Sequence, residues 1–445
     1  MTSWWCEHAV IDDRVHDDVA VTVRNGRIDQ IEIGVPAPAK ATRLRGLTVP
    51  GFANAHSHAF HRALRSRVQI DRGSFWTWRE VMYRAAERLD PDAYHRLARA
   101  VFAEMACAGM TVVGEFHYVH HTLAGTPYDD PNAMGAALLT AADEAGVRIT
   151  LLDTLYLHAG LDADGHRAPE GVQRRFSDGS VEGWLSRVDE LDVTDRQLVG
   201  AAIHSVRAVD PTAMSPVAEW ARRNSAPIHA HLSEQRAENE QCRAAFGCTP
   251  TELLDEHGVL DSNFTAVHAT HLTAGDIERL GACQCTICMC PTTERDLGDG
   301  IGPTRELVAA GTGLCLGSDS HAVIDQMEDA RALELHERLR SEERGVHGAI
   351  ELLHAATVAG HRSLGWDDAG AIEVGSRADL VTIDLDGVRT AGTPPELGVE
   401  AAVFASTSAD VRNVVIDGNP VVVDGHHAKI DTAAELAASI EELFA

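Results

Sequence analysis

Positive charge is scarce in this sequence of 445 residues, which has 38 lysines and arginines against 67 aspartates and glutamates. Lysine itself occurs only at Lys40 and Lys429, one near each end of the chain. The formal net charge of −29 repels nucleic acids and anionic membrane surfaces, so we expect neither as a partner. An anionic small molecule would need arginines placed locally at its binding site.

Long apolar runs are missing as well. No stretch approaches the roughly 18 apolar residues of a membrane-spanning helix, and the first residues lack the basic and apolar regions of a secretory signal. We therefore expect a cytoplasmic protein. Its nine cysteines, an odd number in a long chain without such a signal, are expected to be reduced thiols.

Short alternating strands are present at both ends of the chain. Residues 19–34 form two alternating runs around an Asn-Gly pair, which is a strong hairpin signal. The same alternation of apolar and polar residues returns at 378–387 and 411–425, with turn residues between the runs. This pattern predicts that residues 1–49 and 376–445 pair into one small sheet domain.

The middle of the chain, residues 50–375, alternates between helix-like and strand-like runs. A helix-like run at 90–109, for example, precedes a short apolar run at 110–116, and similar units follow along the chain. Repeated helix–strand units with short turns imply a parallel sheet with right-handed crossovers. About eight strands in this length predict an α/β fold of the (β/α)₈ barrel type, whose active site lies at the carboxyl ends of the strands.

Polar groups capable of chemistry follow several of these apolar runs: His56, His58, His204, His229, His231, Glu234, His268, His271 and Asp319. Residues two apart on a strand face the same side, so His56 and His58 can both face the barrel mouth. With His231 and Asp319 they offer three nitrogens and one carboxylate, which suits Zn²⁺ with a position open for water. Fe²⁺ would also fit such a set.

Each of these residues has a simpler interpretation on its own. A single histidine on a strand is more often a hydrogen-bonded polar residue than a metal ligand. The combined pattern, at the ends of successive predicted strands, is much harder to obtain by chance. Glu234 adds a proton donor or acceptor three residues after His231, which suits hydrolysis by a metal-activated water.

Two further clusters are interpreted as structural. The stretch CQCTICMC at 283–290 does not have the paired Cys-x-x-Cys spacing of common zinc modules. It lies where a barrel strand is due, so its cysteines are expected to pack as small apolar residues. His117, His120 and His121 could bind a metal, but we expect them to line the mouth of the barrel.

Several motifs together resemble the amidohydrolase superfamily over nearly the whole chain: HSH at 56–58, HAHLSE at 229–234, HATH at 268–271 and GSDS at 317–320. The segments HSHAFHRAL, SFWTWREVMYR, EFHYVHH and CPTTERDLGDG are similar, more narrowly, to formimidoylglutamate deiminases. This resemblance implies a TIM-like metal-dependent catalytic barrel over 50–375. It also implies a small β-sandwich made from residues 1–49 and 376–445.

The resemblance also implies roles for individual residues. The metal ligands would be His56, His58, His231 and Asp319, and the catalytic residues would be Glu234, His268 and Asp319. Substrate would be contacted by His61, Arg84, Tyr118, His204 and Arg207, with the two arginines binding two carboxylates. Members of this group commonly have glutamine where this chain has His61, so that contact is in doubt.

The implied reaction is zinc-dependent hydrolysis of N-formimino-L-glutamate to N-formyl-L-glutamate and ammonia, by attack of metal-bound hydroxide on the formimino carbon. Binuclear members of the superfamily typically use a carboxylated lysine in the barrel, and this barrel has none, so we expect one divalent metal. The resemblance also suggests a homodimer. Two alternatives stay open: a mononuclear deaminase acting on a nucleobase or related cyclic amidine, and a zinc-binding protein without catalysis.

Overall fold

The computed structural model describes residues 2–69 and 75–445. Its strands, in chain order, are β1 Thr2–Ile11, β2 Arg14–Arg24, β3 Arg27–Glu32, β4 Thr42–Pro50, β5 Phe52–Ser57, β6 Met110–His117, β7 Arg148–Leu155, β8 Gly160–Asp162, β9 Gly165–Arg167, β10 Gln197–Ile203, β11 Ile228–Leu232, β12 Phe264–His268, β13 Thr286–Met289, β14 Gly313–Leu316, β15 Leu380–Ile383, β16 Val411–Ile416, β17 Asn419–Val423 and β18 His426–His427.

The helices are α1 Phe75–Glu87, α2 Pro91–Cys107, α3 Ala133–Ala145, α4 Val181–Val188, α5 Pro211–Asn224, α6 Arg236–Phe246, α7 Pro250–Glu256, α8 Ala274–Ala282, α9 Pro291–Leu297, α10 Thr304–Ala310, α11 Gln326–Ser341, α12 Ala349–Ala356, α13 Val358–Ser363, α14 Gly398–Phe404 and α15 Thr432–Phe444. Four short 3₁₀ helices join them at Ala59–Leu64, Gly171–Phe176, Pro395–Leu397 and Ser408–Asp410. Among the described residues, no helix has both the length and the apolar character needed to cross a membrane.

One sheet is built from both ends of the chain, in the order β18-β17-β16-β15-β4-β1-β2-β3. The N-terminal and C-terminal strands meet where β15 pairs antiparallel with β4. The predicted hairpin at Asn25 and Gly26 joins β2 to β3, and both residues have the positive φ that a tight hairpin turn requires. The prediction that the two ends form one sheet is confirmed.

The second sheet is the barrel, in which neighbouring strands follow the order β14-β13-β12-β11-β10-β7-β6-β5 and pair in parallel. Most of its strand residues are buried because helices cover the outside, and β6 is buried along its whole length. The helix–strand unit predicted at 90–116 is present as α2 followed by β6. Asp90 caps α2 by accepting a hydrogen bond from the Ala93 N–H at 2.7 Å.

The barrel closes where the first strand, β5, meets the end of the last strand, β14. The N–H of Asp319 donates to the carbonyl of His56 at 3.0 Å, and the N–H of His58 donates to the carbonyl of Asp319 at 3.3 Å. Gly317 permits this approach, since a Cβ there would lie 2.7 Å from the Cβ of His56. We call this junction the closing seam, and the (β/α)₈ prediction is confirmed.

The sheet from the two ends lies next to the barrel in sequence and in space. Strand β4 ends at Pro50 and β5 begins at Phe52, at the predicted domain boundary. The fully buried Arg148 of β7 donates to Asp417 at 3.1 Å and forms an ion pair with Asp379, both from the C-terminal segment. The last helix, α15, packs against barrel helix α2, where Arg96 pairs with Glu442 at 2.6 Å.

Salt is expected to stabilise this fold. A net charge of −29 on one chain repels itself, and dissolved ions screen that repulsion. Raising NaCl from about 20 mM to about 0.5 M should therefore raise the thermal midpoint by roughly a few degrees. Scanning calorimetry checks this, with KCl as the control, because simple screening predicts the same shift for both salts. A midpoint that falls with salt would contradict the expectation.

Candidate active site

The four side chains predicted as metal ligands lie together at the closing seam. His56 is on β5, His58 follows it directly, His231 is on β11 and Asp319 follows β14. All four are buried, and one ligand atom from each lies within 4.8 Å of the others. The Nε2 atoms of His56 and His231 are 3.1 Å apart. Asp319 Oδ1 lies 3.4 Å from the Nε2 atoms of both His56 and His58.

Backbone carbonyl groups orient two of these imidazoles. His58 Nδ1 donates to the carbonyl of Phe116 at 2.9 Å, and His231 Nδ1 donates to the carbonyl of His204 at 2.8 Å. Each Nε2 then has its lone pair directed at the cluster, as in many metal-binding histidines. Three such nitrogens and one carboxylate oxygen fit a divalent ion such as Zn²⁺ or Fe²⁺.

Burial also keeps these imidazoles in the protonation state that metals require. Desolvation lowers the pKa of His56, His58 and His231 well below the usual value, and the neighbouring imidazoles lower it further. Neutral imidazoles can bind a cation without first losing a proton. The site is therefore prepared electrostatically for metal binding.

His268 lies beside this cluster at the end of β12. Its Nε2 is 3.8 Å from Asp319 Oδ2, and its Nδ1 is 3.3 Å from the buried carboxylate of Glu294. Burial opposes protonation of this ring, but the hydrogen bond to Glu294 and the charges of Glu234 and Asp319 outweigh it and raise the pKa to about 10. A cation held by Asp319 would lower this pKa again by electrostatic repulsion.

Two residues of this group have left-handed backbone conformations. The φ angle is 69° at His268 and 42° at Asp319, although neither is glycine. Such conformations are uncommon outside glycine, cost free energy and are found at functional sites more often than elsewhere. Here they turn the chain at the end of β12 and just after β14. The side chains of His268 and Asp319 meet there, with His268 Nε2 3.8 Å from Asp319 Oδ2.

A cavity extends from this cluster and is lined by Glu234 and Arg207 among others. The guanidinium of Arg207 donates through Nε to the buried carboxylate of Glu238 at 3.0 Å, and its Nη2 lies 3.8 Å from Glu234 Oε2. Glu238 in turn accepts from the N–H of Ser233 at 2.9 Å. This chain of contacts fixes Arg207 next to the proposed proton-transfer group.

Three further predicted substrate contacts also line the cavity, namely His61, Tyr118 and His204. His61 Nε2 lies 3.0 Å from the Tyr118 hydroxyl, and burial lowers the pKa of His61 to about 3. His61 does not belong to the four-ligand cluster, and its side chain lines the cavity instead. A neutral imidazole bonded to a tyrosine hydroxyl thus lines the cavity at this position.

The structure contradicts the prediction for Arg84. Its side chain is exposed, and it does not line the cavity, whereas Trp78, Arg79, Met82 and Tyr83 of the same helix do. Successive residues of an α-helix turn by about 100°, so Arg84 points to the side of α1 opposite these four. Arg79 is therefore the arginine that this helix contributes. Its Nε donates to the Tyr83 hydroxyl at 2.5 Å.

The prediction for the histidines at 117–121 is also wrong, since none of them lines the cavity. His117 follows the inward-facing Phe116 on β6 and faces the opposite side of the sheet. His120 Nδ1 lies 3.3 Å from His117 Nε2, and its Nε2 donates to the carbonyl of Thr154 at 2.9 Å. These contacts tie β6 to β7, and His117 and His120 form with Asp153 a second buried group whose ligand atoms lie within 4.8 Å of one another.

The cysteine-rich stretch behaves as expected. Strand β13 runs through it, and Cys288 and Cys290 are fully buried. Every cysteine of the described residues is a free thiol. Cys290 lies beside His268 and Asp319, a proximity that the sequence pattern did not suggest.

Sequence reasoning missed most of the cavity wall. Aromatic rings line it at Trp78, Tyr83, Tyr156 and Phe176, and so do residues of the small β8–β9 hairpin. For α1, the sequence did contain a signal, namely the spacing of its residues. Trp78 and Met82 lie four residues apart, as do Arg79 and Tyr83, so that these four share one face of the helix. The hairpin lies between β7 and α4, where nothing in the sequence indicated a cavity wall.

Comparison with known proteins agrees with this geometry. The model of a family described as the amidohydrolase family matches residues 47–421 of this chain. The chain is 37% identical over 408 residues to the formimidoylglutamate deiminase of Pseudomonas aeruginosa, covering 88% of both chains. It is 30% identical to the 5-methylthioadenosine/S-adenosylhomocysteine deaminase of Pelotomaculum thermopropionicum, covering 84% of this chain and 80% of that protein.

Solved structures support the same assignment of fold. The crystal structure of an amidohydrolase from Brucella melitensis superimposes with a TM-score of 0.90, at 31% sequence identity, over the full length of both chains. The similarity thus covers both the barrel and the sheet from the two ends of the chain.

Proposed function

The chain belongs to the amidohydrolase family of hydrolytic enzymes, and from this we propose that it hydrolyses N-formimino-L-glutamate to N-formyl-L-glutamate and ammonia. The observation that carries the proposal is one cavity lined by His58, His231 and Asp319 of the four-ligand cluster and by three arginines, of which Arg79 and Arg207 are the less exposed. The similarity to a formimidoylglutamate deiminase at 37% identity supports the same substrate.

The arginines suit the glutamate half of this substrate, which has two carboxylates. A guanidinium binds a carboxylate with two parallel hydrogen bonds, which an ammonium cannot do. Arg207 donates through Nε to Glu238, and its Nη2 faces the cavity beside Glu234 at 3.8 Å. We infer that Arg207 and Arg79 each bind one carboxylate, with Tyr118 and His204 supplying further polar contacts.

We also infer a single divalent metal, zinc, held by His56, His58, His231 and Asp319. When bound, the ion makes water a nucleophile near neutral pH. The lysine residues support one metal rather than two, because Lys40 and Lys429 both lie outside the barrel strands. No lysine is therefore available there to form a carboxylated bridge between two metals.

Glu234 is assigned the proton transfers, since it lines the cavity three residues after the ligand His231. It accepts a proton as water adds to the formimino carbon and delivers a proton to the terminal nitrogen. The carbon–nitrogen bond to that nitrogen then breaks and ammonia leaves, while the other nitrogen stays bonded in N-formyl-L-glutamate. His268, between Glu294 and Asp319, stabilises charge on the reacting centre.

A second candidate is supported by the aromatic rings of the cavity. Trp78, Tyr83, Tyr156 and Phe176 could stack on a purine, and a relative at 30% identity is a 5-methylthioadenosine/S-adenosylhomocysteine deaminase. The ligand cluster and Glu234 would serve that reaction equally well. The arginines in the cavity favour the dicarboxylate instead, because 5-methylthioadenosine offers them no carboxylate and S-adenosylhomocysteine offers only one.

Ammonia release from a substrate panel separates these candidates. The panel contains N-formimino-L-glutamate, N-formimino-L-aspartate, 5-methylthioadenosine, guanine and cytosine, with metal analysis of the same preparation. We expect turnover of N-formimino-L-glutamate and about one equivalent of metal. Carbon NMR should identify N-formylglutamate as the product. Activity on a ring substrate but not on the formimino acids would overturn the proposal, and formamide would overturn the assigned direction of cleavage.

Exchanging Arg79 for glutamine is expected to raise KM for N-formimino-L-glutamate by roughly 10- to 100-fold, since a charge-assisted hydrogen bond contributes about 1.5–3 kcal/mol. The matched control is Arg84→Gln, which removes the same charge from the exposed side of the same helix. Steady-state kinetics of both variants check this. A larger loss in Arg84→Gln than in Arg79→Gln would contradict the assignment.

The homodimer implied by resemblance is likewise a proposal. Light scattering coupled to size exclusion measures the mass directly, and a value near twice 47.9 kDa would support it.

A further inference from the structure

The β8–β9 hairpin forms part of the cavity wall at its outer end. Gly160, Leu161 and Arg167 of this hairpin line the cavity together with Arg207. A second, more open depression adjoins the cavity, and the two share Arg79, Tyr83, Ala159 and Arg167. We call this depression the outer vestibule. Glu80 and Glu170 also line it, so its charge is mixed.

The hairpin is anchored to the loop that carries Arg207. His166 of β9 donates through Nε2 to the carbonyl of Val206 at 2.9 Å. The rings of His158 and His166 stack with centroids 4.4 Å apart, and His158 Nε2 lies 3.2 Å from Asp210 Oδ2. These contacts fix the position of the hairpin relative to Arg207.

Arg167 is the more exposed of the two arginines, Arg79 and Arg167, that line both the cavity and the vestibule. Its guanidinium lies over Gly160, where an added Cβ would be 2.8 Å from Nη2. Its ion pair with Asp162 is long, at 3.6 Å, and the two side chains are 65% and 49% exposed. Such an exposed pair contributes little, so Arg167 can exchange this partner for a carboxylate ligand at small cost.

We propose that Arg167 forms an outer anion subsite that binds a carboxylate of a dicarboxylate substrate in the vestibule and passes it to Arg79 and Arg207. The inference rests on the proposed function for the identity of the substrate. Its physical basis is that a chain of net charge −29 repels a substrate whose two carboxylates outweigh its one amidinium, while a cation at the mouth of a cleft raises the local concentration of such an anion. Arg167 is then a residue for capture and selectivity, separate from the reacting atoms.

The first test compares Arg167→Gln and Arg167→Glu with the wild-type enzyme. At low salt, kcat/KM for N-formimino-L-glutamate should fall roughly 3- to 10-fold in Arg167→Gln and further in Arg167→Glu, because steering acts on association. The difference should shrink at about 0.5 M NaCl as the Debye length falls. The loss should lie mainly in kcat/KM rather than in kcat.

The matched control is Arg223→Gln, which makes the same charge change at the exposed carboxyl end of α5. That end leads into β11 and so lies at the opposite end of the barrel from the cavity. Arg223→Gln should keep kcat/KM within about twofold of wild type at every salt concentration. A second variant, Gly160→Ala, displaces the Arg167 guanidinium and should lower kcat/KM in the same direction as Arg167→Gln.

A direct binding measurement keeps this inference separate from the proposed function. Calorimetry of glutarate, a dicarboxylate that cannot react, should give weaker binding to Arg167→Gln than to wild type, while butyrate, with one carboxylate, should show a smaller difference. Wild-type enzyme that is inactive on N-formimino-L-glutamate refutes the proposed function, and the glutarate comparison still decides the subsite. Equal glutarate affinity and equal low-salt kcat/KM in wild type and Arg167→Gln would overturn the subsite.

Discussion

Asp319→Asn is expected to release the metal and to lower turnover by about 10³-fold or more. Loss of a residue that merely orients a metal ligand typically costs 10- to 100-fold in metal affinity or activity, so loss of a charged ligand should cost more. Asp319 Oδ1 lies 3.4 Å from two histidine Nε2 atoms, and asparagine offers there a neutral oxygen of similar size. The exchange keeps the backbone hydrogen bonds of the closing seam, because these use the main chain of residue 319.

Metal content by plasma mass spectrometry and ammonia release, measured on one desalted sample, test this expectation. Asp192→Asn is the matched control. Asp192 is exposed and lies outside the cavity, so its substitution removes the same charge away from the site. Circular dichroism of Asp319→Asn should stay close to wild type, which separates loss of metal from loss of fold. A variant that keeps one metal equivalent and wild-type turnover would show that Asp319 is no ligand.

Glu234→Gln is expected to lower kcat by about 10²-fold or more while leaving the metal in place. Glutamine keeps the shape of the side chain and its place beside Arg207 but cannot accept and return a proton. Because Glu234 lies outside the four-ligand cluster, metal content should remain near that of wild type. KM should change much less than kcat, since the arginines that bind the carboxylates are intact.

Glu240→Gln serves as the control for this second variant, because Glu240 is an exposed residue of α6 six positions further along the chain. Single-turnover kinetics distinguish a slower chemical step from slower product release. Wild-type kcat in Glu234→Gln would refute the proton-transfer role. A loss of metal in that variant would instead move Glu234 into the group of ligands.

The parts of the site that could be predicted from sequence are those fixed by strand geometry. His56 and His58 are two residues apart at the end of a strand, and a period of two places both on one face. His231 lies near the end of another strand of the same barrel and Asp319 follows a third, and the carboxyl ends of these strands meet at one mouth. The spacing therefore identified residues that the fold brings within 4.8 Å of one another.

The parts that could not be predicted depend on which face of an element is turned inward. Arg79 and Arg84 stand in one motif, and only the packing of α1 against the barrel decides that Arg79 faces the cavity. The same holds for β6, where Phe116 faces the cluster and His117 faces outward. The position of Arg167 depends on a hairpin that is held by the hydrogen bond from His166 to Val206. This is a tertiary contact without any local sequence signal.

The closing seam has a consequence for the synthesis of the protein. During translation, His56 and His58 emerge from the ribosome early, His231 near the middle and Asp319 much later. A nascent chain therefore lacks the candidate carboxylate ligand until the eighth barrel strand has emerged. The order of the gene thus delays assembly of the candidate four-ligand cluster until 319 of the 445 residues have been made. Truncated products that end between β11 and β14 contain the three histidines but can neither close the barrel nor assemble the four-ligand cluster.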